Sequence, residues 1–185
     1  MTEFQQTGLA GYHCPRFQEL PSIPLYKDQV VEELNRYLAP LHCGEITATM
    51  VNNYVKVKAI PPPEKKRYGR AQLAGLYLIC LLKQVYSLGE ITAMLRVAEE
   101  PEDFPARYDT FCAELEEVFR SVFTGQTPPR DGQTLTVTKA AAYTLAYKLY
   151  ALHLLRQAAR RRARALEQAE AASQRAKKEE SKTGG

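Results

Sequence analysis

Two neighbouring stretches of this chain carry side chains suited to recognition chemistry. In the segment Ile46 to Lys58, Thr47 stands where a helix N-cap would, and Thr49, Asn52, Asn53 and Lys56 fall opposite the apolar positions Met50, Val51, Tyr54 and Val57. An Asn amide carries a donor and an acceptor side by side, and a Lys carries a mobile point charge. Lys58 follows, and beyond Pro61-Pro62-Pro63 comes Glu64-Lys65-Lys66-Arg67-Tyr68 with Arg70, a basic connection containing an aromatic. Type and spacing alone fit a recognition surface and equally fit the solvated face of an ordinary helix.

Other chemistries find less support. The chain has no Gly-rich phosphate loop, no GxSxG and no HExxH. Acidic residues cluster in Glu99 to Asp103 and Glu114 to Glu117, where a charged linker and the wet side of an amphipathic helix account for them. The cysteines at 14, 43, 80 and 112 form no CxxC pair, and His13, His42 and His153 supply no zinc spacing. The expectation is a non-enzyme with neither cofactor nor metal. No basic-then-apolar leader and no apolar run of membrane-spanning length occur in the sequence, so reduced thiols, a cytoplasmic setting and no membrane partner are expected.

A chain of 185 residues, 45% hydrophobic, suffices for one main core plus an appendage. Its net charge of +4 is too small to argue from, but the distribution is segregated. Glu45 to Arg96 has eight Lys or Arg against three Glu, and Arg156 to Gly185 has nine against four. The stretches 1–44 and 97–155 are acidic. Basic surfaces on a less charged scaffold are the expected result.

The elements that must position these groups follow from periodicity. Residues 1–20 read as an irregular N-terminal segment, with Pro15, Pro21 and Pro24 disfavouring helix. Leu25, Val30, Val31, Leu34 and Leu38 predict a helix ended by Pro40, and 46–58 predicts a second. Leu73, Leu76, Tyr77, Cys80, Leu81 and Val85 predict a third over about 69–86, with a broad apolar stripe. Ser87-Leu88-Gly89-Glu90 is a capping box opening a fourth helix through Leu95. Pro101 and Pro105 mark a linker. Phe111, Leu115, Val118, Phe119, Val122 and Phe123 predict an amphipathic helix stopping near Gly125, followed by a Pro-Pro and Asp-Gly turn region. From about Thr138 one long helix is expected, with Tyr143, Tyr147, Tyr150 and Leu154 as a ladder that reads either as the lining of an effector pocket or as core or a dimer seam packed against Phe111, Phe119 and Phe123. Its Ala- and Arg-rich end, 156–185, reads as a basic tail, helical at first and losing order over the last dozen residues.

The run Asn52-Asn53-Tyr54-Val55-Lys56-Val57-Lys58-Ala59-Ile60-Pro61-Pro62, then Arg67-Tyr68, Leu73, Leu76 and Ile79, then Ser87-Leu88-Gly89-Glu90-Ile91, resembles the winged helix-turn-helix domain of the mercury-resistance-regulator (MerR) family. Leu20 to Leu95, with Asp28-Gln29-Val30-Val31, Asn52-Asn53-Tyr54 and Leu82-Lys83-Gln84-Val85, is more narrowly similar to a bacterial family catalogued as domain of unknown function 1836, over residues from about 15 to 110. The chain departs from the regulator pattern in three places. Asn52 stands where an Arg usually holds a phosphate, the wing 64–68 is shorter and lacks its Gly turn, and the turn near Tyr86 is one residue shorter.

The resemblance implies an all-α, MerR-like winged helix-turn-helix fold with a short basic wing, followed by a C-terminal helical pair with a long last helix. It divides the chain into an irregular segment 1–20, a helix-turn-helix domain 21–98, a helical and dimerising region 99–155, and a basic tail 156–185. It further implies a homodimeric transcriptional regulator that binds double-stranded DNA, with no effector assigned. Thr47, Thr49, Asn52 and Asn53 would then approach base edges, where Asn can pair bidentately with adenine. Lys56, Lys58, Lys65, Lys66, Arg67 and Arg70 would hold phosphates and Tyr68 would lie beside them, giving a log-log salt slope of roughly −4 to −5. The competing class is a non-enzymatic adaptor in which the same face docks an acidic protein. The cluster Arg156 to Arg164 is read as a grip on phosphates or on an acidic partner, or as a solvated helix end.

Overall fold

A computed structural model describes residues 7–97, 104–125 and 136–183. The chain is mostly helical and divides into two compact units, one ending at Lys148 and one beginning at Leu149. The expected linker residues Glu99 to Asp103 and the Pro-Pro and Asp-Gly turn region lie outside the described residues.

The first unit begins with α1 (Thr7–Ala10) and a 3-10 turn at Phe17–Glu19, then β1 (Leu25–Tyr26) and α2 (Lys27–Leu38). A 3-10 turn at Ala39–Leu41 leads through an irregular connection to α3 (Ala48–Lys56). β2 (Arg67–Tyr68) pairs antiparallel with β1, Leu25 opposite Tyr68 and Tyr26 opposite Arg67. Then follow α4 (Arg70–Leu82), α5 (Leu88–Val97), α6 (Phe104–Thr124) and α7 (Val137–Thr183).

Local chemistry sets most of these bounds. Thr47 caps α3 by accepting from the Met50 amide at 3.3 Å. Ser87 and Glu90 form a reciprocal capping box at α5, the Ser87 amide donating to Glu90 Oε2 at 2.7 Å and the Glu90 amide to Ser87 Oγ at 3.3 Å. α6 stops where Gly125 turns left-handed at φ 71°. Its start differs from the expected linker at Pro105, because that proline occupies the first helical turn, where a missing amide donor costs nothing. α4 is shorter than expected: after Leu82, the amides of Gln84 and Val85 bond back three residues and close a tighter turn.

α4 forms the centre of this unit. Every residue from Leu73 to Leu82 is buried, so the helix is enclosed on all sides and carries more than a stripe. α2 packs beside it through Val30, Leu34 and Leu38.

The N-terminal segment is far from loose. Leu9, Tyr12, Cys14 and Leu20 are buried, and the segment straps across α6. Arg16 grips Glu116 with both guanidinium nitrogens at 3.0 and 2.7 Å, and the Cys14 amide donates to the same carboxylate at 2.8 Å. The Phe17 amide donates to Asp109, and the Tyr108 hydroxyl donates to the Pro15 carbonyl at 2.8 Å. The Tyr12 ring packs at a tilt of 50° against Phe119, and its hydroxyl lies 2.6 Å from that of Tyr77 on α4. The prolines that exclude regular helix here leave the strap extended enough to make these contacts.

α6 buries its apolar side from Tyr108 to Phe123. On α7, within the first unit, the buried face is Ala141, Ala142, Leu145 and Ala146, while Tyr147 is about half exposed. Tyr12 of the strap lies against Phe119, a contact additional to those expected for that ring. The apolar side of α6 is thus buried within one chain.

The second unit is the remainder of α7, helical through Thr183, with Leu154, Leu155 and Leu166 exposed.

Candidate nucleic-acid interface

α3 is held by its inner face. Val51 and Tyr54 are fully buried, while Thr49, Asn52, Asn53 and Lys56 on the other side and the capping Thr47 are exposed. Asn52 and Asn53 have no side-chain partner among the described residues, so their amides remain available. Burial pushes the Tyr54 hydroxyl up to about 12, and that hydroxyl has no hydrogen-bond partner among the described residues. Lys83 of the segment after α4 sits over the Tyr54 ring at 5.3 Å.

The connection between α2 and α3 is fixed by two amide side chains. Asn35 of α2 donates to the Ile46 carbonyl at 2.9 Å and accepts from the Ile46 amide at 2.8 Å. Gln84 donates to the Cys43 carbonyl at 3.1 Å, tying the same connection to the end of α4. These contacts aim α3 and went unread in the sequence, where an Asn or Gln amid helical residues carries no local signal.

At its C-terminus α3 ends in a Schellman motif. The Ala59 amide bonds to the Tyr54 carbonyl and the Lys58 amide to the Val55 carbonyl, which puts Lys58 in the left-handed position usually given to glycine, at φ 58°. Ile60 then packs against Gly75 of α4, where an added Cβ would lie 3.3 Å from Ile60 Cγ2. Gln72 donates to the carbonyls of Pro61 and Pro62 at 3.2 and 2.7 Å, fixing the proline run by acceptors, since it offers no amides.

The wing is a two-residue hairpin. The Glu64 amide donates to the Arg67 carbonyl at 3.0 Å and the Arg67 amide to the Glu64 carbonyl at 2.8 Å, closing a turn whose central residues are Lys65 at φ 46° and Lys66 at φ 65°. Two consecutive positive φ values belong to a type I′ turn, which strongly favours Asn-Gly. Lysine in each place carries a left-handed penalty of roughly 1–2 kcal/mol. Among the described residues four non-glycines have positive φ, and three of them, Lys58, Lys65 and Lys66, are exposed lysines between α3 and α4. The fourth is His42.

Other residues expected at the interface divide differently. Arg67 is exposed, with its guanidinium 4.8 Å from the centre of the Tyr26 ring and donating to the Tyr26 hydroxyl at 2.9 Å. Tyr68 is only 4% exposed; its place opposite Leu25 turns its ring inward, and burial raises its pKa. Arg70 is engaged by the strap, donating to the Leu20 carbonyl at 3.1 Å and to Gln18 at 2.7 Å, with Phe17 beneath it. These two residues hold the hairpin and the strap in place; they do not present themselves outward.

The segment Thr47 to Arg67 thus offers two unengaged amides and a row of cations on backbone pinned to α2 and α4. A model of a family described as "Domain of unknown function (DUF1836)" matches residues 15–111, from the strap to the middle of α6. No curated protein and no solved structure matches the chain.

Proposed function

The chain belongs to the DUF1836 family, and from that premise we propose that it is a non-enzymatic transcriptional regulator that reads duplex DNA through α3 and a short basic wing. The observation that carries this reading is the set of lysines at left-handed positions. Lys58, Lys65 and Lys66 each occupy a backbone site where Gly or Asn would be more stable, and all three are exposed. Strained positions of this kind gather at functional sites, where the side chain is worth more than the relaxed backbone.

The order of elements supports the same reading. β1, α2, α3, a hairpin and α4 follow one another, with β1 paired to the hairpin's second strand, as in a winged helix-turn-helix of MerR type. Asn52 and Asn53 supply bidentate amides for base edges, and Thr47 and Thr49 shorter hydroxyls. Lys56, Lys58, Lys65, Lys66 and Arg67 supply phosphate contacts, and with Arg70 withdrawn a salt slope of roughly −4.5 follows. Such a regulator acts in the cytoplasm as a homodimer. The apolar side of α6 is buried within one chain, and among the exposed apolar groups Leu154, Leu155 and Leu166 of the second unit are available for pairing.

One observation favours an adaptor instead. The α2–α3 connection spans residues 39–47, longer than the three or four residues of a typical helix-turn-helix. Selection of bound duplexes from a random pool at about 150 mM salt separates the two readings. The regulator reading expects an enriched pseudo-palindrome that is lost in Asn52→Ala and weakened uniformly in Lys66→Ala. Salt-sensitive background without enrichment would leave the adaptor.

A further inference from the structure

The second unit carries a cationic ridge that α3 and the wing do not use. Arg156, Arg160, Arg161, Arg162 and Arg164 lie within nine residues of α7, and the last four are exposed. None forms an ion pair among the described residues, and the first following carboxylate is Glu167. Arg156, Arg160 and Arg164 repeat at i, i+4 and i+8, so the helix stacks like charges on one side, an arrangement that destabilises an isolated helix. The alanines between them supply the propensity that keeps the helix formed.

We propose that this ridge is a second, sequence-independent contact to the phosphates of duplex DNA; the choice of DNA as the polyanion rests on the regulator reading above. Three features select a phosphate backbone. The cations are all arginine, whose planar fork pairs bidentately with phosphate. Residues 156–165 contain no aromatic or large aliphatic side chain, and the exposed Leu155 and Leu166 on either side are too few for the continuous apolar face that buries into a lipid surface. Four residues of helix advance about 6 Å, close to the roughly 6.8 Å of axial rise that separates alternate phosphates of one strand.

The test uses the full chain and its Arg160→Gln, Arg161→Gln, Arg164→Gln triple variant, in which Gln preserves helix propensity and circular dichroism checks that the helix remains. Fluorescence anisotropy follows binding to a random-sequence duplex of about 30 base pairs between roughly 50 and 200 mM salt. The variant is expected to lose roughly 2 to 3 from the salt slope and about tenfold or more in affinity, equally for selected and random sequences. A slope unchanged from the parent overturns the proposal. So does a loss confined to polyglutamate or to phosphatidylserine vesicles while duplex binding stays intact. If the slope falls although neither protein prefers any sequence, the ridge contact stands and the α3 reading fails.

Discussion

The double substitution Lys65→Asn, Lys66→Gly should make the protein more stable and a poorer DNA binder. Both lysines hold positive φ in a closed two-residue hairpin, and an asparagine followed by a glycine is the pair that such a turn favours. Relief of left-handed strain gives roughly 1–2 kcal/mol per site, against which the added freedom of an unfolded glycine costs about 0.5–1 kcal/mol. Across the two sites a net gain of about 1–3 kcal/mol follows, or a rise in Tm of roughly 2–12 °C for a chain of this size. The same change removes two phosphate contacts, and the salt slope should shrink by about 1.8. Differential scanning calorimetry and anisotropy on one preparation give both numbers. A higher Tm with unchanged DNA affinity would refute the functional meaning of the strain, and a lower Tm would refute the strain itself.

Other expectations are open to equally direct tests. Tyr54→Phe removes a buried hydroxyl that has no partner among the described residues, so urea unfolding should show unchanged or slightly greater stability, by up to about 1 kcal/mol. Arg70→Ala should lower stability by about 1–2 kcal/mol through its lost bonds to Leu20 and Gln18, while the salt slope of DNA binding stays at the parent value. Burial alone would raise the Glu116 pKa, but Arg16, the Cys14 amide and His13 outweigh it and hold it below the usual value. A depressed carboxylate contributes stability that is complete above its unfolded pKa of about 4.3 and disappears as pH falls through the folded value. Thermal unfolding from neutral pH to the acid side of that range should therefore show stability falling in acid, and Glu116→Gln should be less stable at neutral pH with a flatter acid limb.

What could be read from the sequence was what local chemistry decides. The Thr47 cap, the Ser87–Glu90 capping box and the stop at Gly125 each depend on a few neighbouring residues, and each matches the sequence reading. The strap escaped because its partners are remote: Cys14 and Arg16 meet Glu116 about a hundred residues away, and a proline-punctuated segment gives no periodic sign of burial. The wing's turn was hidden for the opposite reason, since Lys-Lys is not a turn signal and only the backbone reveals the φ pair. Tyr68 and Arg70 looked like interface residues by composition; their position beside β1 and the strap turns them to structural use.

The central claim, that α3 reads base sequence, is tested most directly by the ratio of affinities for a selected duplex and its scrambled counterpart at about 150 mM salt, in the parent and in Asn52→Ala. The account predicts a parent ratio of roughly a thousand or more, falling by about 5- to 150-fold in the variant as one bidentate contact worth roughly 1–3 kcal/mol is lost. Equal affinity of the parent for both duplexes would contradict it.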